Sequence, residues 1–122
     1  MTLRHTSLPV SDVEETVAFY EDLVGYEVVR SFESDGVENV FVGEPDSDAE
    51  DDAAVQLVAV GEPVDTGDFE HVALTTDDVD AAVADLDDDM IDQGPTTMED
   101  LGLRVAFIED PDGWGIELVE EL

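Results

Sequence analysis

Four side chains of this chain combine the right types and spacing for metal chemistry: His5, Gln56, His71 and Glu117. The two histidines are the only ones in the sequence, and they stand 66 positions apart in similar surroundings. Leu3-Arg4-His5-Thr6-Ser7-Leu8 parallels Phe69-Glu70-His71-Val72-Ala73-Leu74, and Val55-Gln56-Leu57 parallels Ile116-Glu117-Leu118. Phe41, Pro45 and Asp46 precede Phe107, Pro111 and Asp112 by the same 66 positions. Two imidazoles, an amide oxygen and a carboxylate suit one borderline divalent ion: Ni, Zn, Co, Mn or Fe. An octahedral ion held by these four would keep two positions for water or for two oxygens of a substrate. Each residue alone has an ordinary reading, as a core or surface histidine, an edge amide or one acid among many. The joint, repeated pattern is what argues for a shared function.

The elements that must position these residues also come in two sets. Leu3 to Val10 is rich in strand formers. Asp12 is a good N-cap, with Glu15 three residues on, ahead of Val13, Val17, Tyr20, Leu23 and Val24 at helical spacing. Gly25 suits the left-handed residue that follows a helix. Tyr26 to Phe32, Val37 to Gly43 and Ala53 to Val60 read as strands, and residues 44–52 as an acidic loop. After a linker over 61–68, the order starts again. A strand runs from Phe69 to Thr76, and Asp77 or Asp78 caps a helix carrying Val79, Ala82, Val83 and Leu86. A weaker strand lies near Thr96 to Met98, then come Leu103 to Glu109, the turn Asp110-Pro111-Asp112-Gly113 and Trp114 to Val119. The fold class is therefore α+β. One domain over 1–122 is built from two βαβββ modules, about 1–60 and 69–122.

Strand alternation gives His5 a face with Leu3 and Ser7, and gives Glu117 one with Gly115 and Val119. A carboxylate among small and apolar neighbours needs a cationic partner. The only basic side chains are Arg4, Arg30 and Arg104, so a metal ion is an economical partner. Arg30 and Arg104 are read as pairing with surface acids, and Trp114 as a pocket-lining or packing residue.

The charge balance is 35 acidic residues against 3 basic, a formal net charge of -32. Self-repulsion of that size loosens a compact chain at low salt. At about 1 M salt the Debye length falls to about 3 Å, and the repulsion is screened. The acidity therefore reads as adaptation to a salt-rich cytoplasm, ahead of an acidic nucleic-acid mimic. With so few cations to meet phosphates, neither nucleic acid nor anionic membrane is an expected partner. The absence of cysteine excludes disulfides, thiolate ligands and cysteine nucleophiles. No leader-like segment or apolar run of 18 residues is present, so the expectation is a soluble cytoplasmic protein.

These residues resemble the vicinal oxygen chelate superfamily, and most its glyoxalase I (lactoylglutathione lyase) branch. The matching text is His5-Thr-x-Leu-x-Val10-x-Asp12, Phe19-Tyr20, Gly25, Arg30, Phe41-Val42-Gly43, Val55-Gln56-Leu57, His71-x-Ala-Leu74 and Ala106-Phe-x-Glu-Asp-Pro-Asp-Gly113-x-x-Ile-Glu117-Leu118. The resemblance implies curved mixed sheets, with one divalent metal per site held between paired modules. In a homodimer, His5 and Gln56 would come from one subunit, His71 and Glu117 from its partner. It implies isomerisation of a 2-oxoaldehyde–thiol hemithioacetal to a 2-hydroxyacyl thioester. Glu117 would move the carbon-bound proton, and the metal would stabilise the enediolate.

This chain departs from that pattern in three places. Gln56 stands where the family often has glutamate. Pro9 and Val60 stand where it tends to have an arginine and an asparagine that serve glutathione. The thiol is therefore left open, along with the substrate contacts. The same superfamily offers alternatives: a methylmalonyl-CoA epimerase-like enzyme, a dioxygenase using two histidines and one glutamate, or a non-catalytic bleomycin resistance-like module that binds a small molecule.

Overall fold

A computed structural model describes residues 3–47 and 53–122. The acidic loop expected over 44–52 falls partly outside the described residues, from 48 onward. The chain divides into two compact units, Met1–Asp65 and Thr66–Leu122.

The first unit runs β1 (His5–Val10), α1 (Val13–Val24), β2 (Glu27–Ser34), β3 (Val37–Gly43) and β4 (Ala54–Ala59). Its sheet has the order β1-β4-β3-β2, with β1 parallel to β4 and the other pairs antiparallel. Asp12 caps α1 as its spacing implies: Oδ1 accepts from the Glu15 amide at 3.2 Å. Gly25 closes the helix at φ 71°, a conformation that costs glycine little. Tyr20 and Leu23 of α1 are buried together with Leu8, Val10, Val40, Val42, Val55 and Leu57. By strand alternation those sheet residues share one face. His5, Ser7, Asn39, Phe41, Ala54 and Gln56 share the other.

The second unit repeats the order with β5 (Val72–Thr75), α2 (Val79–Val83), β6 (Ile91–Met98), β7 (Leu103–Glu109) and β8 (Gly115–Glu121). Its sheet order is β5-β8-β7-β6, again with one parallel pair, β5 with β8. Val79, Val83, Leu74, Ala106, Ile108, Ile116 and Leu118 are buried. Asp78 is the cap, its Oδ1 accepting from Ala81 N at 3.0 Å.

The strand expected over Phe69 to Thr76 is shorter, Val72–Thr75, with His71 just before it, and two further elements differ from the sequence expectation. The second helix is five residues long and stops before Leu86. Asp85, Asp87, Asp88 and Asp89 crowd the end where a helix carries partial negative charge, and no glycine stands there to close it. The weak strand at 96–98 is instead an eight-residue edge strand, β6. Its pairing with β7 skips from Gln93 to Thr96, so Gly94 and Pro95 sit in a bulge.

Candidate functional site

Each unit carries one histidine, one phenylalanine and one oxygen donor in the same arrangement. In the first unit, Phe41 lies opposite Gln56 in the β3–β4 ladder, and Ser7 lies opposite Gln56 in the β1–β4 ladder. In the second, Phe107 and Ala73 hold those places against Glu117. His5 is the first residue of β1, and His71 directly precedes β5. Each imidazole meets its phenylalanine edge-on: His5 and Phe41 at 5.4 Å between centroids, His71 and Phe107 at 5.5 Å. The aromatic contact fixes ring tilt, leaving the ring nitrogens to other partners.

The oxygen donors differ in their support. The Gln56 amide spans two neighbours. Its Nε2 donates to Asn39 Oδ1 at 2.9 Å, and its Oε1 accepts from Ser7 Oγ at 3.1 Å. Asn39 is buried, and its own Nδ2 donates to the Val37 carbonyl at 3.1 Å. Glu117, half-buried, instead faces its histidine, with His71 Nε2 at 3.5 Å from Oε1.

The donors present fit a divalent ion. Two ligand atoms on one ion at about 2.1 Å lie roughly 3.0–3.4 Å apart for octahedral or tetrahedral angles, close to the His71–Glu117 separation. His5 Nδ1 is buried with no hydrogen-bond partner, an orphaned polar atom of the kind a metal satisfies. The first unit offers an imidazole nitrogen and a neutral oxygen, and the second an imidazole nitrogen and an anionic oxygen.

A groove of about 440 Å³ opens beside His71 in the second unit. Phe69 and Phe107 give it apolar walls, and Asp92, Gln93 and Glu109 polar ones. Gly115 lines it too, where β8 begins. A Cβ there would run into the Glu70 carbonyl and would lie 3.6 Å from His71 Cα. Only glycine lets β8 pass this close to the residue before His71. In the sequence Gly115 was just a face neighbour of Glu117. The signal that could have marked it is its place two residues before a candidate ligand, next to a parallel strand pair.

Other charged groups have structural duties. Arg104 forms a two-pronged pair with Asp80, at 2.7 and 2.9 Å, and also donates to Thr97 Oγ1. The hydrogen bonds from Arg104 hold the Asp80 carboxyl below its usual pKa. They also match the surface pairing expected of Arg104. The Arg30 guanidinium lies over Phe32 at 5.6 Å and Phe41 at 5.9 Å. Asp78, Asp80 and Glu120 bring carboxylate oxygens within 4.8 Å of one another. Asp78 caps α2, Glu120 accepts from Val79 N and Asp80 holds Arg104, so each is already engaged. Trp114 is buried and packs edge-on against Phe69 at 5.0 Å.

Asp110, placed in a turn by its sequence, also anchors that turn from inside. It is buried, and its Oδ1 accepts from the amides of Asp112 and Trp114, each at 2.9 Å. Oδ2 is buried without a partner. Burial raises the carboxyl pKa to about 6 although the backbone amides pull it down.

Known proteins share this architecture along nearly its whole length. A family model for the Glyoxalase/Bleomycin resistance protein/Dioxygenase superfamily matches residues 2–118. The lactoylglutathione lyase of Salmonella typhimurium is 31% identical over 132 residues, covering 98% of this chain and 93% of its own. The trypanothione-dependent glyoxalase I of Leishmania major superposes with a TM-score of 0.78 at 25% identity, over 99% of this chain and 87% of its own. An antibiotic-binding protein from Streptomyces sp. CB03234 superposes with a TM-score of 0.73 at 28% identity, over 100% of this chain and 97% of its own. With the family model spanning both units, the chain belongs to the Glyoxalase/Bleomycin resistance protein/Dioxygenase superfamily.

Proposed function

We propose that the chain is a metal-dependent lyase/isomerase of glyoxalase I type, acting as a homodimer in the cytoplasm. Its substrate on this reading is the hemithioacetal of a 2-oxoaldehyde and a thiol, and its product a 2-hydroxyacyl thioester. The observation that carries the reading is the duplicated placement: His5 and Gln56 on neighbouring parallel strands with Phe41 beside both in one unit, and His71 3.5 Å from Glu117's carboxylate with Phe107 in the matching place in the other. His5, Gln56, His71 and Glu117 form the ligand set. A divalent ion held by them would supply Lewis acidity. Glu117 accepts the carbon-bound proton and returns it to the neighbouring carbon, as the one acid–base group in the set. Phe69 and Phe107 cover the groove beside His71 with apolar surface, which limits water around the reacting carbons. Likeness to lactoylglutathione lyases supports this chemistry. Pro9 and Val60, in place of the residues that serve glutathione in the branch it resembles, favour a different thiol.

Turnover of methylglyoxal with a panel of thiols, in molar potassium chloride with nickel, zinc or manganese, tests the proposal. Thioester formation with at least one thiol is expected. Its absence with every ion and thiol overturns the reading. Likeness to the Streptomyces antibiotic-binding protein favours a second reading, a module that sequesters an apolar small molecule. Less than one ion per two chains, with Glu117→Ala leaving ligand binding unchanged, would select it.

A further inference from the structure

We infer that Asn39 is a positioning residue that selects which end of the Gln56 amide is offered as a ligand, so that the oxygen and not the nitrogen is presented. The inference rests on the ligand role proposed for Gln56. A carboxylate offers oxygen at both ends, but an amide has one coordinating oxygen and one NH2 that repels a cation. A glutamine ligand therefore needs something to choose its orientation.

The chain of bonds behind Gln56 makes that choice from the backbone outward. The Val37 carbonyl can only accept, so Asn39 must turn its Nδ2 toward it. Asn39 Oδ1 then faces Gln56 and can only accept. Gln56 must answer with Nε2, which leaves Oε1 at the opposite end, on the side of Ser7. Ser7 shares its strand face with His5. A flipped Gln56 would set two acceptor oxygens against each other beside a buried side chain, a costly arrangement. Ser7 does not choose, because a hydroxyl both donates and accepts, but it braces whichever orientation Asn39 has set.

The second unit supplies an internal control. Where Asn39 pairs with Val58 in the β3–β4 ladder, Val105 pairs with Val119 in the β7–β8 ladder. Where Ser7 faces Gln56, Ala73 faces Glu117. The histidine and phenylalanine are retained in both units, yet both polar supports occur only behind the amide. The carboxylate, which needs no orienting, has apolar residues in the same two places.

Two measurements test the role. The chain has three side-chain amides, Asn39, Gln56 and Gln93, so the NH2 region of a proton–nitrogen NMR spectrum resolves into three pairs. In ion-free protein, one Gln56 hydrogen is expected downfield of, and exchanging more slowly than, those of exposed Gln93. Asn39→Val, which copies the second unit, is expected to abolish that difference. A Gln56 pair indistinguishable from Gln93 in the unaltered protein overturns the inference without any variant having to fold. The second measurement is cobalt(II) affinity across a four-protein cycle. Asn39→Val is expected to weaken binding about tenfold beside Gln56, the usual cost of losing a group that orients a ligand. In the Gln56→Glu background the same change is expected to cost less than twofold. Equal losses in both backgrounds would make Asn39 merely structural and overturn the inference. An unaltered protein that takes up no cobalt(II), nickel or zinc sinks the ligand reading itself, and is recognised because all four proteins then fail alike.

Discussion

His71 and Glu117 hold a ring nitrogen and a carboxylate oxygen 3.5 Å apart, His71 directly before β5 and Glu117 within its parallel neighbour β8, strands whose apolar sides are buried. Glu117 is set within β8 between Ile116 and Leu118, both fully buried. Its Cα is therefore pinned by core packing, and its side chain has few ways to leave His71. Glu117→Gln preserves that shape and removes the base. It is expected to reduce isomerase turnover by about 10²–10⁴-fold, the usual contribution of a positioned proton-transfer group. Ion content, measured by elemental analysis, is expected to fall far less. Full turnover in the variant would show that the wrong group was assigned.

The close passage of β8 over Glu70 makes Gly115 sensitive. Gly115→Ala must push the strand away from the Glu70 carbonyl. Overpacking of this kind costs about 1–3 kcal/mol. A lower midpoint in urea unfolding is expected, together with weaker ion binding through displacement of His71 from Glu117. Gly36→Ala is the comparison. It has open space around its added carbon and only its φ of 80° to oppose it, so it is expected to lose stability while keeping ion affinity.

Asp110 predicts a pH dependence with a definite direction. Its folded pKa, about 6, lies above its ordinary value of 3.8, so the folded state holds this proton more tightly than the unfolded state. Stability from this group is greatest below pH 3.8 and falls as pH rises through 6. Above pH 6 the buried charge costs about 3 kcal/mol at 1.36 kcal/mol per unit, an order-of-magnitude figure. Asp110→Asn keeps an acceptor for the amides of Asp112 and Trp114 and removes the charge. Urea titrations from pH 4 to 8 are expected to show a flatter pH profile in the variant. An unchanged profile would mean that Asp110 is not the titrating group.

Screening gives a fourth expectation. With a formal net charge of -32, melting temperature is expected to climb steeply as potassium chloride is raised from 0.1 to 2 M, because about 1 M salt shortens the Debye length to about 3 Å. Calorimetry at constant pH decides the point. A melting temperature that is flat or falling over that range would show that repulsion is not what limits stability.

Much of this structure could be read from residue patterns, and the exceptions have identifiable causes. The first helix was legible in its bounds because Asp12, the apolar spacing and Gly25 all agree. β3 and β7 were legible because each is a compact run of strand formers with clear ends. α2 was overestimated because apolar periodicity continued to Leu86, while the aspartates beyond Val83 worked against the helix end. β6 was underestimated because Gly94 and Pro95 look like a strand breaker, and the bulge that absorbs them depends on pairing with β7. The β2–β3 hairpin turns through Asp35 and Gly36, both at positive φ, 51° and 80°. In the site, the histidines and their oxygen donors stood out through repetition. Asn39, Asp110 and Gly115 did not, because their importance comes from what lies across a strand or turn from them.

The parallel ladders have a consequence for how the protein is made. His5 sits at the start of its unit and Gln56 near the end, held on adjacent strands only once everything between them has been wound into place. His71, just before β5, and Glu117, on the parallel strand β8, are likewise separated by nearly all of their unit. Such long-range pairings close late in folding. On a ribosome, neither pair of donors can be assembled until almost all of its half has emerged.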